Sequence, residues 1–397
     1  MKKFMIMAAA VMVSLSVNAQ SSPEAKAIKK MKSYTEVLEA IKANGASFDK
    51  ADNAFAYNKL VDLAISENSK TEKAAIEAQL AKNAEQQAQM TNAKNAAAYN
   101  ALQAAMQCNA FDEKGKYKNK NVNRLMTIRN SMVQAGLDAY NTKDYESATK
   151  YFGAFVETRT DALFNEADFS REQNFGQIAY YAALAAYFNK NYAKCDQYAD
   201  AALNSSERDS IANDVIIVKL GAYEEQAKTA VMDSATYVKN VRAMYDQFPE
   251  NENIFGKLVG LYEETGDKAS AKTLLDARLA ANPHDAMANA YVGQTAQGEQ
   301  KYDEAIAAYS KAVAAKPDFL AAKLNLGVCY LNKAVAAVDA NTDARGNINP
   351  EVKPQAMSDL KEAKKILEEV RTADPDCMQV NWKYPLERVN YVIENVK

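Results

Sequence analysis

The residue types that most often carry chemistry are sparse in this chain. There is one histidine, His284, directly after Pro283. It cannot build a histidine-rich zinc site, and next to a proline it reads as a turn residue. The four cysteines stand at 108, 195, 329 and 377, far apart and without a CxxC pair. That is neither a metal pattern nor a dense disulfide framework, and spacing alone does not pair them. Paired carboxylates such as Glu263-Glu264 are ordinary on solvated helices and need a pocket before they do acid–base work. No GxSxG, P-loop or dinucleotide fingerprint is present. These residues imply no enzyme, no metal and no cofactor. One run asks for a ligand: FDEKGKYKNKN, with lysines at 114, 116, 118 and 120. On an extended strand they would line one side, suited to phosphate, acidic glycan or an acidic protein. The reading adopted is a solvated connector, as charge runs on loops usually are. The net charge of −3 excludes a nucleic-acid footprint.

The elements behind these residues read as helices. Alanine, lysine, glutamate and asparagine are abundant, with only 13 glycines and 8 prolines. Such residues lose little entropy in a helix. Pro249, Pro283 and Pro317 stand at intervals of 34. Number each unit so that its proline is position 32. Unit 252–285 then has Phe255 at 4, Leu258 at 7, Tyr262 at 11, Gly266 at 15, Ala271 at 20 and Leu275 at 24. Unit 286–319 has Gly293 at 8, Tyr302 at 17, Ala305 at 20, Tyr309 at 24 and Ala312 at 27. Positions 4, 7 and 11 share one helix face, and 20, 24 and 27 share another. Small residues at 8 and 20 let the two helices approach. Gly266 supplies the left-handed residue that ends the first helix, and the proline ends the second.

This pattern resembles the tetratricopeptide repeat (TPR), whose period is about 34 residues. The implied fold is all-α: an α-solenoid of about six helix pairs, with an N-terminal helical segment and a C-terminal capping helix. Weaker copies extend the array over 129–376. Residues 129–161 carry Gly136 at 8, Ala148 at 20 and Phe152 at 24; 176–206 carry Ala183 at 8 and Cys195 at 20, a small core residue. Residues 214–250 reach Pro249 about four residues late. The sixth unit starts at LGVCY (326–330) and is interrupted by an insertion near 334–356 holding NTDARGNINPEVKP, before Ala363, Leu367 and Pro375 resume the pattern. Residues 377–397 form the cap that an array needs at its open end. Residues 20–108 are the N-terminal helical segment. Ser69-Lys70-Thr71-Glu72 reads there as a capping box opening a helix to about Gln107. Residues 109–128 are the lysine-rich connector and entry to the array.

In TPR arrays, positions 2, 5, 6, 9, 12 and 13 line a concave groove. Carried onto this chain, they give Tyr180, Tyr181, Leu184, Tyr187 and Phe188 in the second unit, Tyr291 and Gln294 in the fifth, and Asn325 in the sixth. The resemblance thus implies a protein or peptide partner on these residues. Packing between repeats, and sugar stacking by a glycan-binding protein, are the other readings of the same rings. A clamp for a C-terminal carboxylate would need lysine, asparagine and arginine where units four to six have Gly256, Gly260, Tyr291, Ala321 and Asn325, and is not supported.

The opening MKKFMIMAAAVMVSLSVNAQ has a basic start, an apolar run and Val17-Asn18-Ala19 before a cleavage point. Residues 1–19 are expected to be a cleaved signal peptide, too short for a membrane span. The first cysteine is Cys108, so no lipid is expected at the new N-terminus. The expected location is the periplasm, or secretion. Segments such as DEKGK before DYESATKYFGAF are similar to exported TPR proteins of Bacteroidetes bacteria. That resemblance implies a cell-envelope scaffold for another protein, with glycan binding the alternative.

Overall fold

A computed structural model describes residues 22–170, 172–344 and 347–396. The expected signal segment lies outside the described residues. Among them are seventeen α-helices and no strand, with one antiparallel bridge from Thr342 to Ile348. The chain divides into two compact units, the first ending at Val231 and the second beginning at Met232.

The first unit contains α1 (Pro23–Ile28), α2 (Tyr34–Asn44), α3 (Lys50–Leu80), α4 (Ala84–Phe111), α5 (Lys118–Asn141), α6 (Tyr145–Thr158), α7 (Phe175–Phe188), α8 (Tyr192–Leu203) and α9 (Arg208–Lys228). Its N-terminal part is not one helix opening at Ser69. It is a hairpin of α3 and α4, and Ser69–Glu72 lie inside α3. Thr71 is buried there and donates to the Glu67 carbonyl at 2.7 Å, so it caps nothing. The caps are Asp49 for α3 and Asn83 for α4, and the turn is made by Lys82 at φ 55. Buried alanines at 54, 56, 64, 97, 98, 101 and 105 fill the hairpin's proximal half. They account for its low apolar content.

The lysine-rich connector is not extended. Residues 112–117 form a turn with Gly115 at φ 63, organised by the Asp112 carboxylate, which accepts from the Lys116 and Tyr117 amides at 2.9 and 2.6 Å. Lys118 and Lys120 belong to α5. Lys118 reaches Glu166 at 2.6 Å and Lys120 reaches Asp62 at 3.7 Å. Arg124 also pairs with Asp62 and donates to Asn58 at 3.1 Å. Half of the expected lysine stripe therefore ties α5 to its neighbours.

The second unit contains α10 (Ser234–Gln247), α11 (Glu252–Glu264), α12 (Lys268–Ala281), α13 (Ala286–Gly298), α14 (Tyr302–Ala315), α15 (Leu320–Ala340), α16 (Lys353–Ala373) and α17 (Lys383–Asn395). The helices expected to pair as a third repeat, α9 and α10, fall on either side of the division at 231. Four helices, α10, α12, α14 and α16, stop two residues short of Pro249, Pro283, Pro317 and Pro375. The residue before each proline, namely Phe248, Asn282, Lys316 and Asp374, has φ between −133° and −140° with ψ positive. That extended backbone is what the proline ring imposes on its predecessor.

Within pairs, a glycine at position 8 faces a large side chain at position 24. A Cβ on Gly293 would lie 2.9 Å from three Tyr309 ring atoms. Gly136 meets Phe152, and Gly327 meets Leu367, in the same way. The insertion appears as the long α15 and, among the described residues, as non-helical backbone at 341–344 and 347–352. The cap α17 is held through Trp382, which donates to the Asp374 carbonyl at 2.6 Å. The Asp374 carboxylate accepts from the Met378, Gln379 and Val380 amides, each at 2.9 Å. Those amides hold it below the usual carboxylate range.

Candidate functional site

The α7 sequence FGQIAYYAALAAYF carries no charge. Its alanines at 179, 182, 183 and 186 are buried, which puts its rings on the remaining faces. Tyr181 and Phe188 are seven residues apart, as are Tyr180 and Tyr187, with Leu184 between them. Each pair therefore forms a stripe along the helix.

The stripe of Tyr181 and Phe188 leans on α5 and α6. Tyr181 lies 6.4 Å from Tyr140 and stacks on the buried Phe152 at 6.1 Å. Phe188 stacks on Tyr145 at 4.9 Å and lies 6.4 Å from Tyr140. The other stripe leans toward α9. A Cβ on Gly221 of α9 would lie 3.3 Å from the Tyr187 ring, so this glycine admits the tyrosine. Burial pushes the Tyr180 phenol up, and Asp214 of α9 adds to the shift. Tyr180 meets Tyr181 at 5.7 Å, Tyr187 meets Phe188 at 5.7 Å, and Tyr187 reaches Tyr192 at 6.1 Å. The result is a continuous seam: Tyr180, Tyr181, Tyr140, Tyr145, Phe188, Tyr187, Tyr192.

Phe188 keeps 45% of its surface exposed and Ile217 on α9 keeps 55%. Tyr140, Tyr145, Tyr180, Tyr181, Leu184 and Tyr187 are half-buried. Burial also raises the Tyr140 phenol. Near neutral pH Tyr140 and Tyr180 are thus protonated and can donate hydrogen bonds, but they supply no base.

Four of the five expected α7 residues, the rings, come together in this seam, with Tyr181 partly committed to packing on Phe152; the fifth, Leu184, is half-buried on the same helix. The other three lie in the second unit and make contacts between repeats there. Tyr291 donates to the Gly256 carbonyl at 3.3 Å and packs edge-on against Phe255 at 5.8 Å. A Cβ on Gly256 would sit 2.9 Å from the Tyr291 hydroxyl oxygen. Gln294 donates to Glu263 at 3.4 Å. Asn325 hydrogen-bonds the Tyr309 phenol. Tyr140, Tyr145 and Tyr192 were not expected in the site, though their positions were readable: Tyr140 occupies position 12 of the first unit, as Tyr187 does in the second. Tyr145 and Tyr192 both occupy position 17.

Three of the four thiols offer no nucleophile as they stand. Cys108, Cys195 and Cys329 are buried and unpaired, and burial pushes each up to about 12. Among the described residues no group of His, Cys, Asp and Glu could hold a metal ion, and no described helix is long and apolar enough to cross a membrane.

Residues 258–318 and 292–344 match the tetratricopeptide repeat family. The stretch 258–344 of the second unit therefore carries tetratricopeptide repeats, built on the paired helices described above. No curated protein matches the sequence. Among solved structures, a TPR repeats protein from Bacteroides fragilis NCTC 9343 is 19% identical, over 67% of this chain and 99% of that one, with a TM-score of 0.33. The complex of the TPR2AB domain of yeast Sti1 with pHSP90 is 13% identical over 82% and 99%, with a TM-score of 0.25. Yeast Tom70 is 10% identical over 94% and 95%, with a TM-score of 0.28. At such scores these likenesses carry no argument about what this chain binds.

Proposed function

We propose that this protein is a non-enzymatic interaction scaffold of the bacterial cell envelope, holding a peptide or protein segment on the aromatic seam of its first unit. The observation that carries the reading is the seam itself: seven linked rings on α5–α8, one of them Phe188 at 45% exposure. Tyrosines are favoured as anchors because they bring large contact area and a hydrogen-bonding tip at low entropic cost. The envelope location is supported by the signal-like residues 1–19. Sugar stacking is the less favoured reading. Tyr145 and Phe188 lie within 30° of parallel, but the rings on either side are tilted by 36°, 53° and 69°, so no continuous flat platform runs along the seam for a pyranose chain.

A photo-reactive benzoylphenylalanine at position 188 tests this in cells. It should give a discrete protein adduct, whereas the same group at Tyr384, 67% exposed on α17, should not. No adduct at 188, or the same adducts at both, would count against the seam.

A further inference from the structure

Resting on that reading, we infer that the seam selects a segment presenting lysine or arginine beside an aromatic or apolar side chain. Three observations converge. The seam's floor, α7, carries no charge of its own. Its rings present electron-rich faces, and such faces attract ammonium and guanidinium groups when partly desolvated. A carboxylate stands at one wall: Gly221 of α9 packs on Tyr187, and Asp214 stands seven residues before Gly221 as Tyr180 stands seven before Tyr187; Asp214 is exposed, makes no ion pair with any described residue, and is felt by the Tyr180 phenol. Farther along, Glu225 is felt by Tyr192, though Lys228 shares its charge with Glu224 and Glu225.

The basic side chains nearby do not remove this bias. Lys219 is neutralised in place, buried against Asp196 at 3.0 Å and also paired with Asp200. Lys194 lies over Tyr198 and Lys150 over Tyr99, rings outside the seam. Lys143 and Lys190 occupy the left-handed turn positions after α5 and α7. A bound segment would place its basic residue between Tyr180 and Asp214, and its apolar residue against Phe188.

The test is selection from a random twelve-residue peptide library on the intact protein, followed by affinity measurement of the selected peptides. Peptides dependent on the seam, meaning that Tyr180→Ala with Tyr187→Ala weakens them, should be enriched in lysine and arginine next to an aromatic or apolar residue. Asp214→Lys should weaken them about tenfold or more, and raising the salt should weaken them as well. Seam-dependent peptides that are acidic or neutral and ignore Asp214→Lys would overturn the charge preference while leaving the seam as a peptide site. Failure to obtain any seam-dependent peptide, or displacement only by a maltoheptaose probe, would overturn both.

Discussion

Replacing Glu172 by alanine is expected to cost about 3–5 kcal/mol of folding stability, because it leaves a buried cation without its counter-charge. The Arg129 side chain is fully buried, and Glu172 is 10% exposed. Arg129 donates to Thr158 at 2.6 Å and to the Phe155 carbonyl at 3.1 Å. Its guanidinium stacks 3.9 Å from Phe155 and 4.8 Å from Phe169. Glu172 also pairs with Arg159, which stacks on Phe175 at 4.7 Å. These contacts fasten the segment between α6 and α7, and so they set where α7 starts and where its rings point. Urea unfolding of Glu172→Ala should show the loss. Glu166→Ala, which breaks only the pair of Lys118 with a carboxylate side chain 76% exposed, should change stability by less than about 1 kcal/mol. Equal, small effects for both would contradict this account of the segment.

In the second unit, Leu258→Ala is expected to cost about 2–5 kcal/mol. Leu258 is fully buried on α11 beside Ile254, Phe255 and Val259, all equally buried, and removing three carbons leaves a cavity. Since neighbouring repeats share interfaces, the loss should spread beyond α11 and α12. Hydrogen exchange should show reduced protection in α13 as well. Gly260→Ala is the matched control two residues on. Its Cβ would meet nothing within 4 Å, so the gain in helix propensity, about 1 kcal/mol, should raise the melting temperature. Unchanged melting for Leu258→Ala would contradict its place at the repeat core.

Much of this architecture was legible because the repeat imposes requirements that only a few residue types meet. The prolines end helices through backbone geometry alone, and all four stand where α10, α12, α14 and α16 stop. Glycine at position 8 was readable for the same reason, since Tyr309 and Phe152 leave no room for a Cβ. The turns inside repeats were harder to read. Lys143, Lys190 and Gln300 adopt the same positive φ as Gly266, yet nothing in a lysine or glutamine announces a left-handed residue. The hairpin of α3 and α4 was missed likewise, because Lys82 makes its turn without glycine or proline.

At the site, register identified the α7 rings but not what surrounds them. Tyr291 sat at a groove position by number, and only the structure shows it spent on the Gly256 carbonyl. Tyr145 and Tyr192 open second helices, outside the positions that define a groove, and reach the seam through the close packing of α5 to α8. The Asp214 wall depends on α9 lying against α7, which no spacing in the sequence specifies.

The measurement that bears most directly on the seam as binding site is the affinity of the double variant Tyr180→Ala, Tyr187→Ala for the protein captured by the cross-linker at position 188. Truncating an aromatic anchor costs about 2 kcal/mol or more, roughly thirtyfold in affinity. The account predicts at least that loss, with helicity and melting close to wild type. A folded double variant that binds its partner as tightly as wild type would contradict it, as would a double variant that unfolds because these tyrosines serve only to hold the first unit together.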